Sequence, residues 1–595
     1  MKTVASIVQF FRDSQSPINS ALQKKAESAQ DGVSSECILQ ISADSRIIGP
    51  FDCFIALKGE KQHGLDYLES VLLKQPGLVV SDKLLSSAQQ EMMKECPFLY
   101  IENLSERLGA FADWFYDAPS QQVKVIGITG TNGKTSTAFY TAQFLEALGH
   151  RTALIGTLGN GLFGDLKATQ NTTPDVVSVH RLIAQFKAQG AHFVVMEVSS
   201  HALTLQRIEN LCFEAVALTQ VTRDHLDFHG SVEAYQSAKK QLFTEYTSLH
   251  KIINVGDEVA QQLLAYPSNE KALFGLFRYT TKPCVEAELS CINTELTPSG
   301  LLLQLRLTLN ETTDEEAVKV PLMGAFSVEN ILCASAIILA CLEKSSLSLK
   351  KITRLLSQLN SVEGRMQMIQ PGLVVSKEMP ILKDIMSFSE GVDQHVHTNN
   401  RLKEAKIWPT VIVDFAHTPD ALEQVLGAIK AHVQAVDNVN NNVNQNADND
   451  ANHDVDHDVD NTEAEQGVAQ SGKLWVVFGC GGDRDQGKRP LMAKVSERIA
   501  DTVMVTDDNP RFESPAQITQ QIMTGFSVPE RVLQVSNRQQ AIEKVLSLAK
   551  AEDVVLIAGK GHENYQDICG VKQPFKDADI VQNWLNNKVR ANTGE

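Results

Sequence analysis

A lysine and a threonine directly after a glycine-rich loop are the side chains of this sequence best suited to phosphate chemistry. The loop reads Gly130-Thr131-Asn132-Gly133-Lys134-Thr135-Ser136 and lies between the β-branched apolar run 123–128 and a helical stretch. Glycines let backbone N–H groups surround phosphate oxygens, and the start of a helix adds partial positive charge. The lysine would neutralise the β- and γ-phosphates of a nucleotide, and the threonine hydroxyl would bind magnesium. The loop therefore predicts a site for ATP and Mg²⁺.

This loop is a variant of the strict phosphate-binding pattern. The strict pattern has a glycine five residues before Gly133, where this sequence has Ile128. The alternative is a glycine-rich turn from strand to helix in an ordinary doubly wound fold. A plain turn does not explain why Lys134 and Thr135 follow the glycines, so we favour the phosphate loop.

Two later strands are predicted to end in residues that suit a magnesium site. The apolar run 192–196 leads to Glu197, and an acid at the carboxyl end of a strand beside a phosphate loop is a natural magnesium ligand. A solvated glutamate at that position is the alternative. The next strand leads to residues 222–230, where charged and imidazole side chains, including His225, are too clustered to bury cheaply. Ser231 then caps a helix that carries Lys239 and Lys240.

Composition limits the class of protein. The chain has 595 residues, 43% hydrophobic residues and a formal charge of −18, which disfavours a nucleic-acid partner. Its ten cysteines show no zinc-type spacing and are expected to be reduced. The N-terminus does not resemble a signal peptide, and the longest apolar run, 331–342, is about half a membrane span. We therefore expect a cytoplasmic protein with no membrane segment and no nucleic-acid partner, acting as a monomer.

The order of predicted elements indicates an α/β fold with three domains. Residues 1–120 are predicted to form a small α/β domain, residues 121–363 a parallel-sheet domain around the phosphate loop, and residues 364–595 a Rossmann-like domain. The last region contains a low-complexity insertion at about 437–466, rich in Asn and Asp, and an irregular stretch at about 376–406. None of its glycine loops matches the dinucleotide-binding pattern in the right place, so we do not predict a second nucleotide site.

Taken together, the motifs resemble the Mur ligase superfamily of ATP-dependent enzymes that form amide bonds. The resemblance covers nearly the whole chain except the two insertions. It rests on GTNGKT at 130–135, DSR at 44–46, TTPD at 172–175, EVSSH at 197–201, RDHLD at 223–227 and, further on, DFAHTPDAL, GCGGDRDQGKRP, DDNPR and GKGHE. The last four are typical of the branch that adds the third residue of the peptidoglycan stem peptide.

The resemblance implies a set of residues for ATP and metal. The loop 130–136 would bind the phosphates, with Lys134 and Thr135 on phosphate and magnesium. Glu197, His225 and a carbamylated Lys239 would complete the catalytic and metal-binding group, because carbamylation turns a cation into an anion that can bridge magnesium. Further nucleotide contacts are implied for Asn330, Arg365, Asp414 and His417.

The resemblance also implies two organic substrates. UDP-MurNAc-dipeptide would be bound by Ser45, Thr172, Thr173, Ser199 and Arg207. The incoming amino acid would be meso-diaminopimelate, because an arginine fork at Arg511 can bind a distal carboxylate that lysine lacks. Its other predicted contacts are Arg484, Asp508, Asn509, Pro510, Gly559 and Glu563.

Two departures and two alternatives remain at this point. The family has a glutamine two residues before Arg207, where this chain has Leu205 with Gln206 adjacent, so the contact to the sugar nucleotide is expected to shift. Gln367 replaces a usual glutamate.

A sister enzyme such as a folylpolyglutamate synthetase is disfavoured by TTPD, DSR and DNPR. A nucleotide-binding regulator that has lost ligation would be expected to have lost Lys134, Lys239 or Arg511, and all three are present.

Overall fold

The computed structural model describes twelve ranges of the chain. They are residues 2–13, 37–59, 62–93, 96–169, 171–222, 224–265, 275–282, 286–297, 300–342, 348–369, 408–450 and 472–593. The irregular stretch 376–406, the last part of the low-complexity insertion (451–466) and Arg223 lie outside them. The chain forms two compact units, residues 1–279 with 333–346, and residues 280–332 with 347–595. The three predicted domain boundaries stay a prediction.

The first unit contains fourteen strands among the described residues. They are β1 (Lys2–Thr3), β2 (Cys37–Ile38), β3 (Ile41–Ser42), β4 (Cys53–Ala56), β5 (Leu78–Ser81), β6 (Phe98–Tyr100), β7 (Lys124–Thr129), β8 (Thr152–Gly156), β9 (Gly159–Leu162), β10 (Asp165–Lys167), β11 (Phe193–Glu197), β12 (Phe213–Leu218), β13 (Ser248–Asn254) and β14 (Leu276–Thr280). Its helices are Val4–Asp13, Leu68–Leu72, Ser87–Met92, Leu104–Phe115, Lys134–Ala147, Val176–Ala188, Ser200–Thr204, Leu226–His229, Val232–Thr244 and Glu258–Ala265, with short 3₁₀ turns at Gly64–Tyr67 and Pro119–Gln121.

Two parallel arrangements of strands organise this unit. The sheet β3-β4-β5-β6 is parallel and packs its apolar side chains against Phe11 and Phe111 of two flanking helices. In the larger arrangement the strand order is β10-β9-β8-β11-β7-β12-β13-β14. The six strands β8, β11, β7, β12, β13 and β14 are parallel to one another. The other two, β9 and β10, pair in the antiparallel direction. Because β7 lies between β11 and β12, the loops that follow these three strands share one edge of the sheet.

Local sequence explains where several of these helices begin. Asp175 accepts a hydrogen bond from the backbone N–H of Ser178 at the start of Val176–Ala188. Ser231 caps Val232–Thr244 through the N–H of Ala234, as the sequence predicts. A side-chain oxygen at each of these positions satisfies a backbone donor that the helix itself leaves unpaired.

The second unit contains eleven described strands. They are β15 (Leu289–Thr297), β16 (Gly300–Leu309), β17 (Thr312–Val320), β18 (Gln367–Ile369), β19 (Thr410–Asp414), β20 (Leu474–Phe478), β21 (Thr502–Val505), β22 (Leu533–Gln534), β23 (Val554–Ala558), β24 (Tyr565–Ile568) and β25 (Val571–Pro574). Its helices are Leu349–Leu356, Pro419–Asp450, Lys488–Ile499, Pro515–Met523, Arg538–Leu548 and Asp577–Thr593, with a 3₁₀ turn at Pro529–Arg531; Phe326–Cys341 begins in this unit and ends in the first.

The second unit contains a mixed sheet of six strands. Its order is β18-β19-β23-β20-β21-β22, and only β18 is antiparallel to its neighbour. Apolar side chains cover both faces, which explains why β19, β20 and β23 read as nearly continuous hydrophobic runs. The helix Pro419–Asp450 extends into the predicted low-complexity insertion, because lengthening an existing helix avoids the cost of nucleation.

The described residues bear on two expectations from the sequence, one about reduced cysteines and one about membrane-spanning helices. All nine cysteines in the described ranges are free thiols, as expected for a reduced protein. No helix in the same ranges combines the length and apolar character that crossing a bilayer requires.

Candidate active site

The phosphate loop follows β7 as predicted. The strand ends at Thr129, and the helix Lys134–Ala147 begins directly after Gly133, which adopts a left-handed φ of 86°. Gly130 approaches the neighbouring strand end so closely that a Cβ there would lie 1.9 Å from Oγ1 of Thr219. The Thr219 hydroxyl in turn donates to the carbonyl of Asn132 at 2.6 Å. Glycine at 130 is therefore required by the close approach of the loop to the end of β12.

Two lysines meet at one carbonyl of this loop. Nζ of Lys134 donates to the carbonyls of Gly130 (2.8 Å) and Thr131 (2.9 Å), and Nζ of Lys239 also donates to Gly130 O, at 2.7 Å. Burial lowers the pKa of Lys134, while the negative charges of Glu197 and Asp224 act to raise it. Burial also lowers the pKa of Lys239, and the nearby charge of Lys134 lowers it further. The two residues predicted to act on phosphate and metal thus lie together, 105 positions apart in sequence.

Glu197, at the end of β11, is the acidic group of this site. It is 2% exposed, and burial raises its pKa. Its Oε2 accepts a hydrogen bond from Oγ1 of Thr135 (2.8 Å), and its Oε1 accepts from the backbone N–H of Thr157 (2.7 Å). A carboxylate next to a threonine hydroxyl at a helix start fits Mg²⁺, which takes few protein oxygens and completes its shell with phosphate and water. In the described ranges no three His, Cys, Asp or Glu side chains form a ready-made metal cluster.

Gly156 leaves the space that the Glu197 carboxylate fills, and we expect Gly156→Ala to weaken magnesium binding. A Cβ at 156 would lie 2.3 Å from Oε1 of Glu197, so the carboxylate would have to move. The Mg²⁺ concentration for half-maximal activity should rise about 10- to 100-fold. Gly427→Ala is the matched control, since a Cβ there meets nothing within 4 Å. An unchanged magnesium requirement in Gly156→Ala would mean that Glu197 does not bind the metal.

His225 occupies a more open position than the other predicted metal ligands. Its side chain is 49% exposed, and Nε2 lies 3.5 Å from Oδ2 of Asp224. The imidazole also packs edge-on against His201, with ring centroids 4.8 Å apart. The backbone of His225 has a left-handed φ of 49°, a conformation that non-glycine residues seldom adopt outside turns. Its role as a metal ligand stays a prediction.

The predicted sugar-nucleotide residues adjoin Glu197. Oγ1 of Thr173 donates to the backbone carbonyl of Glu197 (2.8 Å) and accepts from the N–H of Ser199 (3.1 Å). Nη1 of Arg207 donates to the carbonyl of Thr173 at 3.0 Å. Thr172 joins the group through its hydroxyl, 3.1 Å from that of Thr157. Four of the five predicted residues are thus assembled beside the predicted magnesium ligand.

The fifth residue, Ser45, lies on a turn beside a cavity of about 400 Å³. Its carbonyl accepts a hydrogen bond from Nζ of Lys74, and its neighbours Asp44 and Arg46 line the cavity. The hydrogen bond from Arg46 lowers the pKa of Asp44. The remaining lining residues are Ile47, Asn160, Ala168, Thr169, Asn171, Pro174, Asp175, Ser178, Arg181 and Leu182. The cavity therefore joins the DSR and TTPD segments, 126 or more residues apart in sequence.

In the second unit, the loops after β20, β21 and β23 bring the predicted amino-acid contacts together. Nδ2 of Asn509 donates to Oε2 of Glu563 at 2.8 Å. Lys560 donates to Oδ1 of Asn509 (3.0 Å) and to Oε2 of Glu563 (3.2 Å), and lies 3.6 Å from Oδ1 of Asp508. A Cβ at Gly559 would lie 3.9 Å from Oδ2 of Asp508. Lys560 was not predicted, although the motif GKGHE contains it.

Arg511 is held against the glycine loop that follows β20. Its backbone, at a left-handed φ of 51°, pairs with Asp567 and Cys569 of the β24–β25 hairpin. Its Nη1 donates to the carbonyl of Gly482 at 2.7 Å, and a Cβ at Gly481 would lie only 2.9 Å from that nitrogen. Arg484, on the same glycine loop, is exposed. A third arginine, Arg489, also contacts this loop, because its Nη2 donates to the carbonyl of Gly481 at 3.0 Å.

The remaining predicted nucleotide contacts also belong to the second unit, apart from the phosphate loop. Both carboxylate oxygens of Asp414 accept backbone N–H groups, from Met366 and Ala416, each at 2.7 Å. Burial raises the pKa of Asp414 despite these bonds. Asn330 is half-buried near the start of Phe326–Cys341, and Arg365 and His417 are exposed. Their contacts to ATP stay predictions.

Two parts of the chain match known families of protein domains. Residues 128–338 match the Mur ligase middle domain, and residues 450–561 match the glutamate ligase domain of Mur ligases. The chain belongs to the Mur ligase family, whose members are ATP-dependent ligases that form amide bonds. This confirms the family resemblance and the α/β fold class.

Individual relatives are more specific. The chain is 36% identical over 544 residues to the UDP-N-acetylmuramoyl-L-alanyl-D-glutamate–2,6-diaminopimelate ligase of Pseudomonas putida, covering 91% of this chain and 93% of the relative. It is also 36% identical to the ligase of the same name from Haemophilus influenzae, covering 91% and 95%. A solved structure of a ligase with this name aligns over 93% of this chain and 95% of its own, with a TM-score of 0.60 and 29% identity.

Proposed function

We propose that this protein adds meso-2,6-diaminopimelate to UDP-N-acetylmuramoyl-L-alanyl-D-glutamate, with ATP as co-substrate, in peptidoglycan precursor synthesis. The observation that carries the substrate assignment is the loop cluster of Arg511, Asn509 and Glu563. It combines cationic and anionic side chains, which suits an amino acid whose distal carbon carries both a carboxylate and an ammonium group. The similarity to diaminopimelate ligases over most of both chains supports the same assignment.

The first chemical step is phosphoryl transfer to the sugar-nucleotide substrate. Its terminal carboxylate attacks the γ-phosphate of ATP, forming an acyl phosphate and releasing ADP. Lys134 supplies positive charge where two anions approach each other, and the N–H groups of the loop 130–136 position the phosphates. Thr135 and Glu197 would hold Mg²⁺, which when bound supplies further positive charge to the phosphates.

The second step forms the amide. The amino group of diaminopimelate attacks the acyl carbon, passes through a tetrahedral intermediate and displaces phosphate. Arg511 would bind the distal carboxylate with two N–H groups, and Glu563 with Asp508 would bind the distal ammonium. Holding the far end of the amino acid orients the attacking amine and so lowers the entropic part of the barrier.

We include a carbamylated Lys239, cytoplasmic location and a monomeric state in the proposal. A carbamate at Lys239 would replace a buried cation by an anion at the phosphate loop, where Nζ of Lys239 now donates to the carbonyl of Gly130, and an anion there suits a metal site. The ATP and UDP-sugar substrates are intracellular metabolites, and no nucleic acid or membrane is required for the reaction. Light scattering on the purified protein and mass spectrometry of the Lys239 peptide test the oligomeric state and the modification.

The direct test is an assay of ADP release by the purified protein. Release should require both UDP-MurNAc-dipeptide and meso-diaminopimelate. Release with lysine but not with diaminopimelate would overturn the substrate assignment. Release that requires neither substrate would instead indicate an ATPase that has lost ligation.

Arg511→Ala should mainly raise the KM for diaminopimelate. The guanidinium is remote from the bond being formed, so it contributes binding more than transition-state stabilisation. We expect a rise of about 10- to 100-fold, as for loss of a charged hydrogen bond. Arg531→Ala, in the 3₁₀ turn Pro529–Arg531, is a control outside the cluster. An equal loss of kcat with unchanged KM would show that Arg511 acts in the chemistry instead.

A further inference from the structure

Lys560 is a fully buried cation among the predicted amino-acid contacts. It follows β23 and is 0% exposed. Its ammonium lies 3.0 Å from Oδ1 of Asn509, 3.2 Å from Oε2 of Glu563 and 3.6 Å from Oδ1 of Asp508. These three partners are all residues that the sequence assigns to diaminopimelate. A lysine has three donors and no acceptor, and Lys560 makes two hydrogen bonds in this cluster, one to Asn509 and one to Glu563.

Lys560 and the backbone N–H of Asp567 together fix the orientation of the Asn509 amide. Oδ1 of Asn509 accepts from Lys560 and also from the backbone N–H of Asp567, at 3.0 Å each. The amide nitrogen must therefore point the other way, where it donates to Oε2 of Glu563. Oε2 of Glu563 accepts both from Lys560 and from Asn509. Lys560 therefore contacts both side chains and helps to orient each of them.

Lys560 also sets the charge of the cluster. Asp508 and Glu563 both lie near Lys560, which balances one of their two negative charges; Arg538 also interacts with both carboxylates, but its own charge is paired with that of Asp577. The remaining negative charge suits one distal ammonium, which leaves Arg511 available for a distal carboxylate. Without Lys560, two uncompensated carboxylates would attract an additional cation and repel a carboxylate.

We propose that Lys560 is a positioning and specificity-determining residue that orients Asn509 and Glu563 and balances Asp508, so that the site selects an amino acid with both an ammonium and a carboxylate at its far end. This inference rests on the proposed function, because it concerns the same amino-acid site. It adds a residue that selects the zwitterionic end over a purely cationic one.

The test compares wild type, Lys560→Met and Lys560→Arg with two amino acids, meso-diaminopimelate and L-lysine. In Lys560→Met the KM for diaminopimelate should rise at least about tenfold. The ratio of kcat/KM for diaminopimelate to that for lysine should fall at least about tenfold, while the KM values for ATP and for UDP-MurNAc-dipeptide stay within about twofold. Lys560→Arg keeps the charge and should recover part of the ratio.

The specificity ratio is insensitive to a loss of folded protein. Both amino acids are turned over by the same active molecules, so a smaller folded fraction cancels from the ratio. Lys572→Met is the matched control, because Nζ of Lys572 packs over the ring of Tyr565 at 4.3 Å and Nζ of Lys560 lies 5.7 Å from the same ring. The control should leave the ratio unchanged.

The outcomes separate the two proposals. Wild type that turns over diaminopimelate, with an unchanged ratio in Lys560→Met, overturns the role of Lys560 and leaves the proposed function intact. Wild type that does not turn over diaminopimelate overturns the proposed function, and the role of Lys560 with it. A fall in the ratio that Lys560→Arg partly reverses supports the proposal.

Discussion

Replacing Lys239 with alanine is expected to lower kcat at least about 100-fold, the largest catalytic effect we predict for a residue outside the phosphate loop itself. The side chain is 1% exposed, and its Nζ donates to Gly130 O of the loop that is predicted to bind phosphate. Removing it takes away either a cation at the phosphate loop or, after carbamylation, an anion for the metal. Single-turnover measurements of ADP formation with saturating substrates would isolate this step.

The neighbouring lysine supplies a matched control. Lys240 lies on the same helix and its Nζ donates to Gln262 at 3.2 Å, in an exposed setting. Lys240→Ala should keep kcat within about twofold, as is usual for surface substitutions. Thermal unfolding would show whether Lys239→Ala remains folded. A folded Lys239→Ala protein with normal kcat would restrict Lys239 to a packing role.

Arg538→Ala should give the largest loss of stability, about 3–5 kcal/mol in the free energy of unfolding. Arg538 and Asp577 are both 0% exposed and form two hydrogen bonds of 2.8 Å, from Nε and Nη2 to the two carboxylate oxygens. Nη2 also donates to the carbonyl of Ala558, the last residue of β23 (2.9 Å). The variant would leave a buried carboxylate without its partner.

Chemical unfolding compared with an exposed ion pair tests this expectation. Arg498 and Glu423 lie 2.7 Å apart, but their side chains are 59% and 49% exposed. Arg498→Ala should change the unfolding free energy by no more than about 1 kcal/mol. Equal losses in the two variants would contradict the claim that burial makes the Arg538 pair costly to break. The double variant Arg538→Met with Asp577→Leu should recover much of the loss, because it leaves no unpaired buried charge.

The parts of the site that could be predicted from sequence are those encoded by contiguous residues. The phosphate loop is one such part, because its glycines, Lys134 and Thr135 stand together between a strand and a helix. Glu197 could be predicted from the end of an apolar run. The pairing of β7 with β11 and β12 then brings these segments together, which follows from parallel sheets in general rather than from any one residue.

Lys560 shows why other parts could not be predicted. Its hydrogen bond to Asn509 joins residues 51 positions apart, and nothing in the local sequence indicates which side of the loop the ammonium faces. A lysine after a strand is equally common on a solvated surface. Likewise, the meeting of Lys134 and Lys239 at Gly130 O depends on how the helix Val232–Thr244 packs. Such contacts depend on tertiary structure, and no local stretch of sequence encodes them.

The connection between β19 and β20 has a consequence for how this chain can diverge. The helix that starts at Pro419 buries Leu422, Leu426, Ile429 and Val433 in the core before the Asn/Asp-rich segment begins. Val433 is the last residue of this helix in that described core cluster, so a change in length beyond it leaves these four core contacts in place. Residues can therefore be gained or lost after Val433 over evolutionary time with little penalty on folding. The four residues between β7 and the helix at Lys134 have no such freedom, because each of them is held by a hydrogen bond within the protein. A single chain thus contains one segment whose length can change during evolution and another whose length is fixed.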